Sequence, residues 1–189
     1  FVLALMRDHA KVDPTEDGFS VHLCQLRPES RGRIGLMSAD PTAHPLIDPN
    51  YLAAKEDRRA LRDAVKLVRE VIGQPALKPY ASGELAPGPD VRTDAEIDAW
   101  VRATAETIYH PVGSVRMGAD AGAPLDGELR MRGIDGLRVV DASVMPTLVG
   151  GNTNAPTVMI AEKAADMILG KPALAPQDAP VAEPIPRAA

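Results

Sequence analysis

Residues 136–168 read GLRVVDASVMPTLVGGNTNAPTVMIAEKAADMI, and this stretch says most about the architecture of the chain. Its short apolar run at 137–141 is typical of a buried strand. Pro156 is tolerated in the first turn of a helix, and Gly170 is the kind of residue that ends one. The stretch therefore predicts a strand, a loop and an apolar helix over 156–169.

Three patterns upstream add further elements. From about 56 to 72, apolar residues recur at helical spacing among charged ones, which predicts an amphipathic helix. Thr93 and Glu96 have the spacing of a capping box, so a second helix is expected to begin there. Residues 18–38 alternate apolar and polar side chains around a turn, which predicts an antiparallel hairpin. Together these elements indicate an α+β fold, with a mainly antiparallel sheet and helices on one side of it.

The composition argues against several classes of function. The 21 Lys and Arg are scattered among 26 Asp and Glu, giving a net charge of −5, so neither nucleic acid nor an anionic membrane surface is the expected partner. Cys24 is the single cysteine, which excludes an internal disulfide and a CxxC motif. No apolar run approaches the roughly 20 residues of a membrane span, and no signal peptide opens the chain. We expect a cytoplasmic protein, and peripheral attachment to a membrane stays open.

The two ends of the chain differ from its middle. The chain begins with Phe1 and not with Met, so we expect a fragment or a processed product. Residues 171–189 are rich in Pro and Ala and contain little that could pack, so this tail is expected to be disordered or extended.

The four histidines lie far apart, without Cys or carboxylates at ligand spacing, so no metal site is predicted. His22 alternates with the apolar face of its predicted strand and is interpreted as an ordinary sheet residue. His9 and His44 lie in polar, loop-like surroundings and are expected to be exposed. His110 differs, because Pro111 restricts the backbone conformation of the residue before it. This histidine is either a packed turn residue or a general acid or base.

A second candidate site lies at 149–156, between the predicted strand and helix. Gly150 and Gly151 allow a ligand or another backbone to approach closely, and the first turn of a helix offers unpaired amides at the positive end of its dipole. Such a segment attracts developing negative charge. The alternative is that Asn152 or Asn154 only caps the helix.

Together these segments resemble the C-terminal part of the glucose–methanol–choline (GMC) flavoprotein oxidoreductases. The strongest matches are the stretch 136–168 and YHPVGSVRMG at 109–118, and the weaker ones are LRPESRGRIGL at 26–36 and PLIDPNYL at 45–52. The resemblance extends from Phe1 to about Gly170, and the wording of the motifs is most similar to bacterial choline and medium-chain alcohol dehydrogenases.

The resemblance implies an FAD-dependent enzyme that oxidises a primary alcohol to an aldehyde. It implies that residues 1–135 form the substrate-binding and catalytic domain and that 136–170 return to an FAD-binding domain. The N-terminal Rossmann-like part of the family, with its GxGxxG fingerprint, is absent from this sequence and is an expected partner. The reduced flavin is expected to pass its electrons to a quinone-type acceptor or to O2, and both stay open.

The resemblance also assigns site residues. His110 matches the catalytic histidine of the family, and Asn152 matches its partner position. In the family, two stretches approach the flavin, and the residues that match them here are Asp141, Ala142, Ser143, Asn152, Thr153 and Asn154. With two Phe, three Tyr and one Trp, a complete aromatic cage for a quaternary ammonium group is not expected. The alternative function is a non-catalytic truncated fragment or binding module that keeps the fold without flavin.

Overall fold

A computed structural model of the chain describes residues 3–5, 11 and 17–178. His9 and residues 179–189 of the predicted tail therefore lie outside the described residues. Among the described residues there are three α-helices and a small antiparallel sheet, which agrees with the α+β prediction. The elements are β1 (Arg33–Gly35), β2 (Leu46–Asp48), α1 (Lys55–Ile72), α2 (Asp94–Thr104) and α3 (Asn154–Ile168), with short 3₁₀ turns at Lys78–Tyr80 and Ala142–Val144. The placement of the helices on one side of the sheet stays a prediction.

The strand pairing differs from the predicted hairpin over 18–38. β1 pairs antiparallel with β2, with Arg33 opposite Asp48, and residues 21–32 form no strand. Burial does alternate along this segment, because Leu23 packs against a core whereas its neighbour His22 is exposed. The alternation thus reports one-sided burial and not strand pairing, and the interpretation of His22 as a sheet residue is wrong.

Both upstream helices form where the pattern predicts them. α1 covers the predicted 56–72, and α2 begins directly after Thr93. The capping box is confirmed: the Glu96 amide donates to the Thr93 hydroxyl at 3.3 Å, and the Thr93 amide donates to the Glu96 carboxylate at 2.8 Å. These two bonds satisfy amides that a helix N-terminus leaves without partners.

One core lies between α1 and α2. Its buried side chains are Leu52, Val65, Ile97 and Val101, with Trp100 partly buried beside them. Arg62 and Lys66 of α1 reach Asp94 of α2 at 3.2 and 2.6 Å at the exposed margin of this contact. Burial of the four apolar side chains stabilises the pair, at about 1.5–3 kcal/mol for each large residue.

A second core joins α3 to the loops that precede it. It buries Leu125, Leu129, Val144, Met145, Ile160 and Ala164. The strand predicted at 137–141 is wrong: the segment forms one isolated bridge, between Arg130 and Arg138, and no strand is present beside it within 17–178 to continue the ladder. The helix prediction over 156–169 is confirmed by α3, and Gly170 follows its end with φ of +66°.

This second core has two consequences for the organisation of the chain. It contains Leu125, which precedes the domain boundary predicted between residues 135 and 136, and Ile160, which follows it. That domain boundary stays a prediction. An exposed turn over 132–136 projects from the core, closed at its base where the Met131 amide donates to the Leu137 carbonyl at 2.9 Å.

Candidate functional site

His110 lies on a backbone constrained on both sides. Tyr109 before it has φ of +61°, and the Tyr109 amide donates to the Thr107 hydroxyl at 3.0 Å. Gly113 after it has φ of +82°, and a Cβ there would lie 3.1 Å from the Met145 carbonyl oxygen. Gly113 adopts a positive φ without steric cost, whereas few other residues tolerate one, so Tyr109 is held in this conformation by its surroundings. The half-buried His110 therefore lies between two residues of unusual backbone conformation.

Two backbone hydrogen bonds join the segment after His110 to the Asp141–Ser143 stretch. The Val115 amide donates to the Ser143 carbonyl at 3.1 Å, and the Met117 amide donates to the Val144 carbonyl at 2.9 Å. The Asp141 carboxylate accepts from the Ser143 amide at 2.7 Å and so caps the 3₁₀ turn over 142–144. The structure thus brings together two of the three segments to which the sequence assigns site residues.

The third segment, 149–154, enters α3 without a side-chain cap. Thr153 occupies the N-cap position in a helical conformation, and its side chain makes no capping hydrogen bond. Asn154 is the first helical residue, and both Asn152 and Asn154 are exposed. The alternative that Asn152 or Asn154 caps this helix is therefore wrong. The backbone amides of the first turn have no hydrogen-bond partner within the helix.

The predicted pair His110 and Asn152 belongs to segments that share one core. Val112, two residues after His110, and Val149, three residues before Asn152, both pack against the core of α3. Within residues 17–178 no hydrogen bond connects the two predicted site residues. Their assignment as a catalytic pair stays a prediction.

The surroundings of 149–154 suit a ligand on which negative charge develops, as it does on a flavin during reduction. The first turn of α3 contains no acidic residue, so the positive end of its dipole is not neutralised there. A Cβ at Gly151 would meet no atom within 4 Å, so space is open beside this backbone. The donor set therefore fits a group that gains negative charge on reduction.

Two contacts at this site were missed by sequence reasoning. The Arg27 guanidinium lies against Gly150, because a Cβ at Gly150 would be 2.9 Å from its Nη2. The turn after Arg27 is attached to α1 by the buried Asp57, whose carboxylate accepts from the Glu29 and Ser30 amides at 2.9 and 2.8 Å. The acidic residue in the first turn of a helix is a weak signal for Asp57, and no local pattern identifies the Arg27 contact.

The pKa of Asp57 reflects this environment. Burial acts to raise the pKa, but hydrogen bonds from the side chain of Ser30, from the Glu29 and Ser30 amides and from Gln25 outweigh it and lower the pKa below its ordinary value. The buried carboxylate is therefore ionised at neutral pH and holds the turn at 28–31 against α1.

A further ion pair shapes the turn after the His110 segment. Arg116 donates two hydrogen bonds to the Asp120 carboxylate, at 2.8 and 2.7 Å, which lowers the pKa of Asp120 to about 2. Among the residues placed by the structure, no group of three His, Cys, Asp or Glu could hold a metal ion. None of the helices in the described part has the length and apolarity that a bilayer span requires.

Comparison with known proteins identifies related chains. The C-terminal family model described as GMC oxidoreductase matches residues 28–161. The chain is 48% identical over 181 residues to "Alcohol dehydrogenase [acceptor]" of Pseudomonas putida, covering 96% of this chain and 33% of that protein. It is 52% identical over 165 residues to "Oxygen-dependent choline dehydrogenase" of Acinetobacter baumannii (strain AYE), covering 87% and 30%. The chain thus spans about a third of the length of these curated relatives.

Solved structures of two oxidases are also similar to this chain. The chain is similar to pyridoxine 4-oxidase from Mesorbium loti, with a TM-score of 0.73 and 34% identity over 78% of this chain and 29% of that one. It is also similar to a fungal aryl-alcohol oxidase, with a TM-score of 0.70 and 33% identity over 77% and 24%.

Proposed function

We propose that this chain, which belongs to the GMC oxidoreductase family, forms the substrate-binding and catalytic part of an FAD-dependent enzyme that oxidises a primary alcohol to an aldehyde. The observation that carries the proposal is the attachment of the segment after His110 to Ser143 and Val144 through two backbone hydrogen bonds. Both segments pack on the core from which α3 and the Asn152 loop emerge.

His110 is the proposed base. An imidazole accepts a proton near neutral pH, and a positioned one can take the hydroxyl proton as the alcohol is oxidised. The constrained backbone at Tyr109 and Gly113 serves this role, because a base must be held within hydrogen-bond reach of the proton it removes.

Asn152 is the proposed partner of His110. Its amide group carries N–H donors that can bond the substrate oxygen as this oxygen gains alkoxide character, and it does not compete for the proton. The exposure of Asn152 and the open space at Gly151 leave room for a small alcohol beside it.

The residues proposed to approach FAD are Asp141, Ala142, Ser143, Asn152, Thr153 and Asn154. When bound, FAD supplies the acceptor for the hydride that leaves the alcohol carbon. The unpaired amides at the start of α3 can donate to negative charge that develops nearby. With FAD bound, the substrate would lose its hydroxyl proton to His110 and its carbon-bound hydride to the cofactor, which would leave the aldehyde.

An FAD-binding domain is the proposed partner of α3. Val158, Met159, Ile168 and Leu169 are each more than half exposed, at 52, 55, 58 and 66%. An apolar surface of this kind favours contact with another domain over contact with water. The acceptor that reoxidises the cofactor, a quinone-type compound or O2, and the cytoplasmic location both stay predictions.

A hybrid enzyme tests the proposed function. In this hybrid, the chain replaces the matched region of the alcohol dehydrogenase of Pseudomonas putida. Two quantities are then measured: the amount of bound flavin and the rate at which primary alcohols are oxidised. We expect His110→Ala to lower kcat/KM by about 10²–10⁴-fold with flavin still bound, as for loss of a general base. The exposed His44→Ala is the matched control and should retain activity.

Two results would contradict the proposal. His110→Ala activity within about threefold of the parent hybrid would remove His110 as the base. A soluble hybrid without bound flavin would favour the alternative, a non-catalytic fragment or binding module.

A further inference from the structure

The Arg27 guanidinium packs along the backbone of Gly150. A Cβ built at Gly150 would lie 2.9 Å from Nη2, 3.3 Å from Cζ and 3.7 Å from Nε of Arg27. Gly150 does not have a positive φ, so its backbone conformation does not require a glycine. The missing side chain at this position therefore serves the close approach of the guanidinium.

Few other contacts restrain the loop that enters α3. None of the backbone hydrogen bonds within residues 17–178 involves residues 146–152. A Cβ at Gly151 would meet no atom within 4 Å, so the space beside this residue is open. Two consecutive glycines also give a backbone wide conformational freedom. The packing of Arg27 thus restricts a stretch that has few other restraints among the described residues.

Arg27 is itself attached to the fold through the turn that follows it. This turn, over 28–31, is anchored to α1 by the buried Asp57, whose carboxylate accepts from two of its backbone amides at 2.9 and 2.8 Å. The Ser30 hydroxyl also accepts from the Ala54 amide at 3.0 Å. These bonds fix the backbone from which the Arg27 side chain extends toward the loop.

We propose that Arg27 is a positioning residue, which acts through Gly150 to order the loop that carries Asn152. The inference rests on the proposed function. Two residues of extended chain span at most about 7 Å, so a restraint at Gly150 limits the positions that the Asn152 side chain can reach. Asn152 is the proposed donor to the substrate oxygen as this oxygen gains alkoxide character, and a donor of this kind is effective when it is held in place before the reaction. Arg27 itself touches neither substrate nor cofactor in this proposal.

The order of the loop is tested by nitrogen-15 relaxation of the purified chain. We expect the Gly150 and Gly151 amides to have order parameters of about 0.85, as in rigid backbone, and Arg27→Ala to lower them toward about 0.6, as in flexible backbone. Arg33→Ala is the matched control, because Arg33 is an exposed arginine on β1, and it should leave both values unchanged. Low order parameters in the parent chain, or unchanged ones in Arg27→Ala, would overturn the inference.

The consequence for catalysis is tested in the hybrid with the Pseudomonas putida alcohol dehydrogenase, with butan-1-ol as the substrate. We expect Arg27→Ala to lower kcat about tenfold with flavin still bound and KM within about twofold, because the interaction that is lost belongs to the transition state. In an Asn152→Ala background the same substitution should lower kcat less than about twofold, because no donor is left to position.

Gly150→Ala provides a second variant, because its Cβ would occupy the place of the Arg27 guanidinium. We expect the same loss of about tenfold in kcat. Gly35→Ala is the matched control, since a Cβ at Gly35 would meet the Leu46 Cβ at 4.0 Å and no closer described atom. This control should keep kcat within about twofold of the parent hybrid.

The outcomes separate the inference from the proposed function. Equal losses from Arg27→Ala with and without Asn152 would overturn the inference, as would a kcat for Arg27→Ala within about twofold of the parent hybrid. A hybrid that binds flavin and oxidises no primary alcohol would instead count against the proposed function. The order parameters then still decide the inference, because they require neither flavin nor turnover.

Discussion

Substitution of Asp57 by Asn is the sharpest test of how the turn carrying Arg27 is held. The carboxylate is 3% exposed and accepts from two backbone amides, one at each oxygen. An asparagine keeps one acceptor oxygen and turns an NH2 group toward the second amide, which leaves a buried donor unpaired. An unpaired buried donor costs about 1–3 kcal/mol, and hydrogen bonds to charged groups contribute about 1.5–3 kcal/mol each.

We therefore expect Asp57→Asn to lower the free energy of unfolding by about 3 kcal/mol, which corresponds to a fall in Tm of about 6–12 °C for a chain of this size. Thermal unfolding of the purified chain, followed by far-ultraviolet circular dichroism, measures it. Asp63→Asn is the matched control, since Asp63 lies on the same helix, is exposed and pairs with Arg59 at 3.6 Å. That variant should change the free energy of unfolding by no more than about 0.5 kcal/mol.

The pH dependence adds a second readout. Because the pKa of Asp57 is lowered in the folded chain, its contribution to stability is complete above the ordinary aspartate pKa of about 3.9 and is lost as the pH falls through the lower folded value. The stability difference between the wild-type chain and Asp57→Asn should therefore shrink as the pH falls below about 4. Equal Tm values for the Asp57 and Asp63 variants at pH 7 would refute the anchoring role.

Two other predictions concern the separate chain. Titration of purified 1–189 with FAD, followed by flavin fluorescence, should show no submicromolar binding, because the sequence lacks GxGxxG and the amides at the start of α3 supply only part of the contacts. Hydrogen exchange should show weaker protection at 158–167 than in α1, because that part of α3 exposes apolar side chains. Submicromolar affinity would show that this chain carries the cofactor site, and equal protection in a monomer would show that α3 needs no partner.

The features that the sequence predicts correctly are those that depend on few neighbouring residues. The capping box involves Thr93 and Glu96 alone, and α1 repeats its apolar pattern over 18 residues. The strands β1 and β2 have three residues each, which is too short for a period to be visible. Their pairing depends on tertiary packing, which the order of apolar residues does not encode.

The same reasoning explains the errors at the site. The apolar run at 137–141 has the composition of a buried strand, and its Val139 and Val140 are indeed half-buried. The Val139 amide, however, donates to the Leu129 carbonyl, which belongs to a loop and not to a strand. The sequence identifies His110 through its local backbone constraints. It cannot identify the contact between Arg27 and Gly150, because residues so distant in the chain meet only through the packing of whole elements.

The turn over 132–136 has a consequence for the engineering and evolution of the chain. The hydrogen bond between Met131 and Leu137 closes its base, its residues are exposed, and the Arg132 guanidinium before Gly133 donates to the Gly118 carbonyl at 2.9 Å. The entropy of a closed loop depends weakly on its length, at about 0.6 kcal/mol for each doubling. Residues inserted at Gly133 therefore lengthen the turn without displacing the buried Leu129 or the His110 segment. This position can carry an affinity tag or a fluorescent label, and it is where length differences among homologous genes can accumulate at little cost.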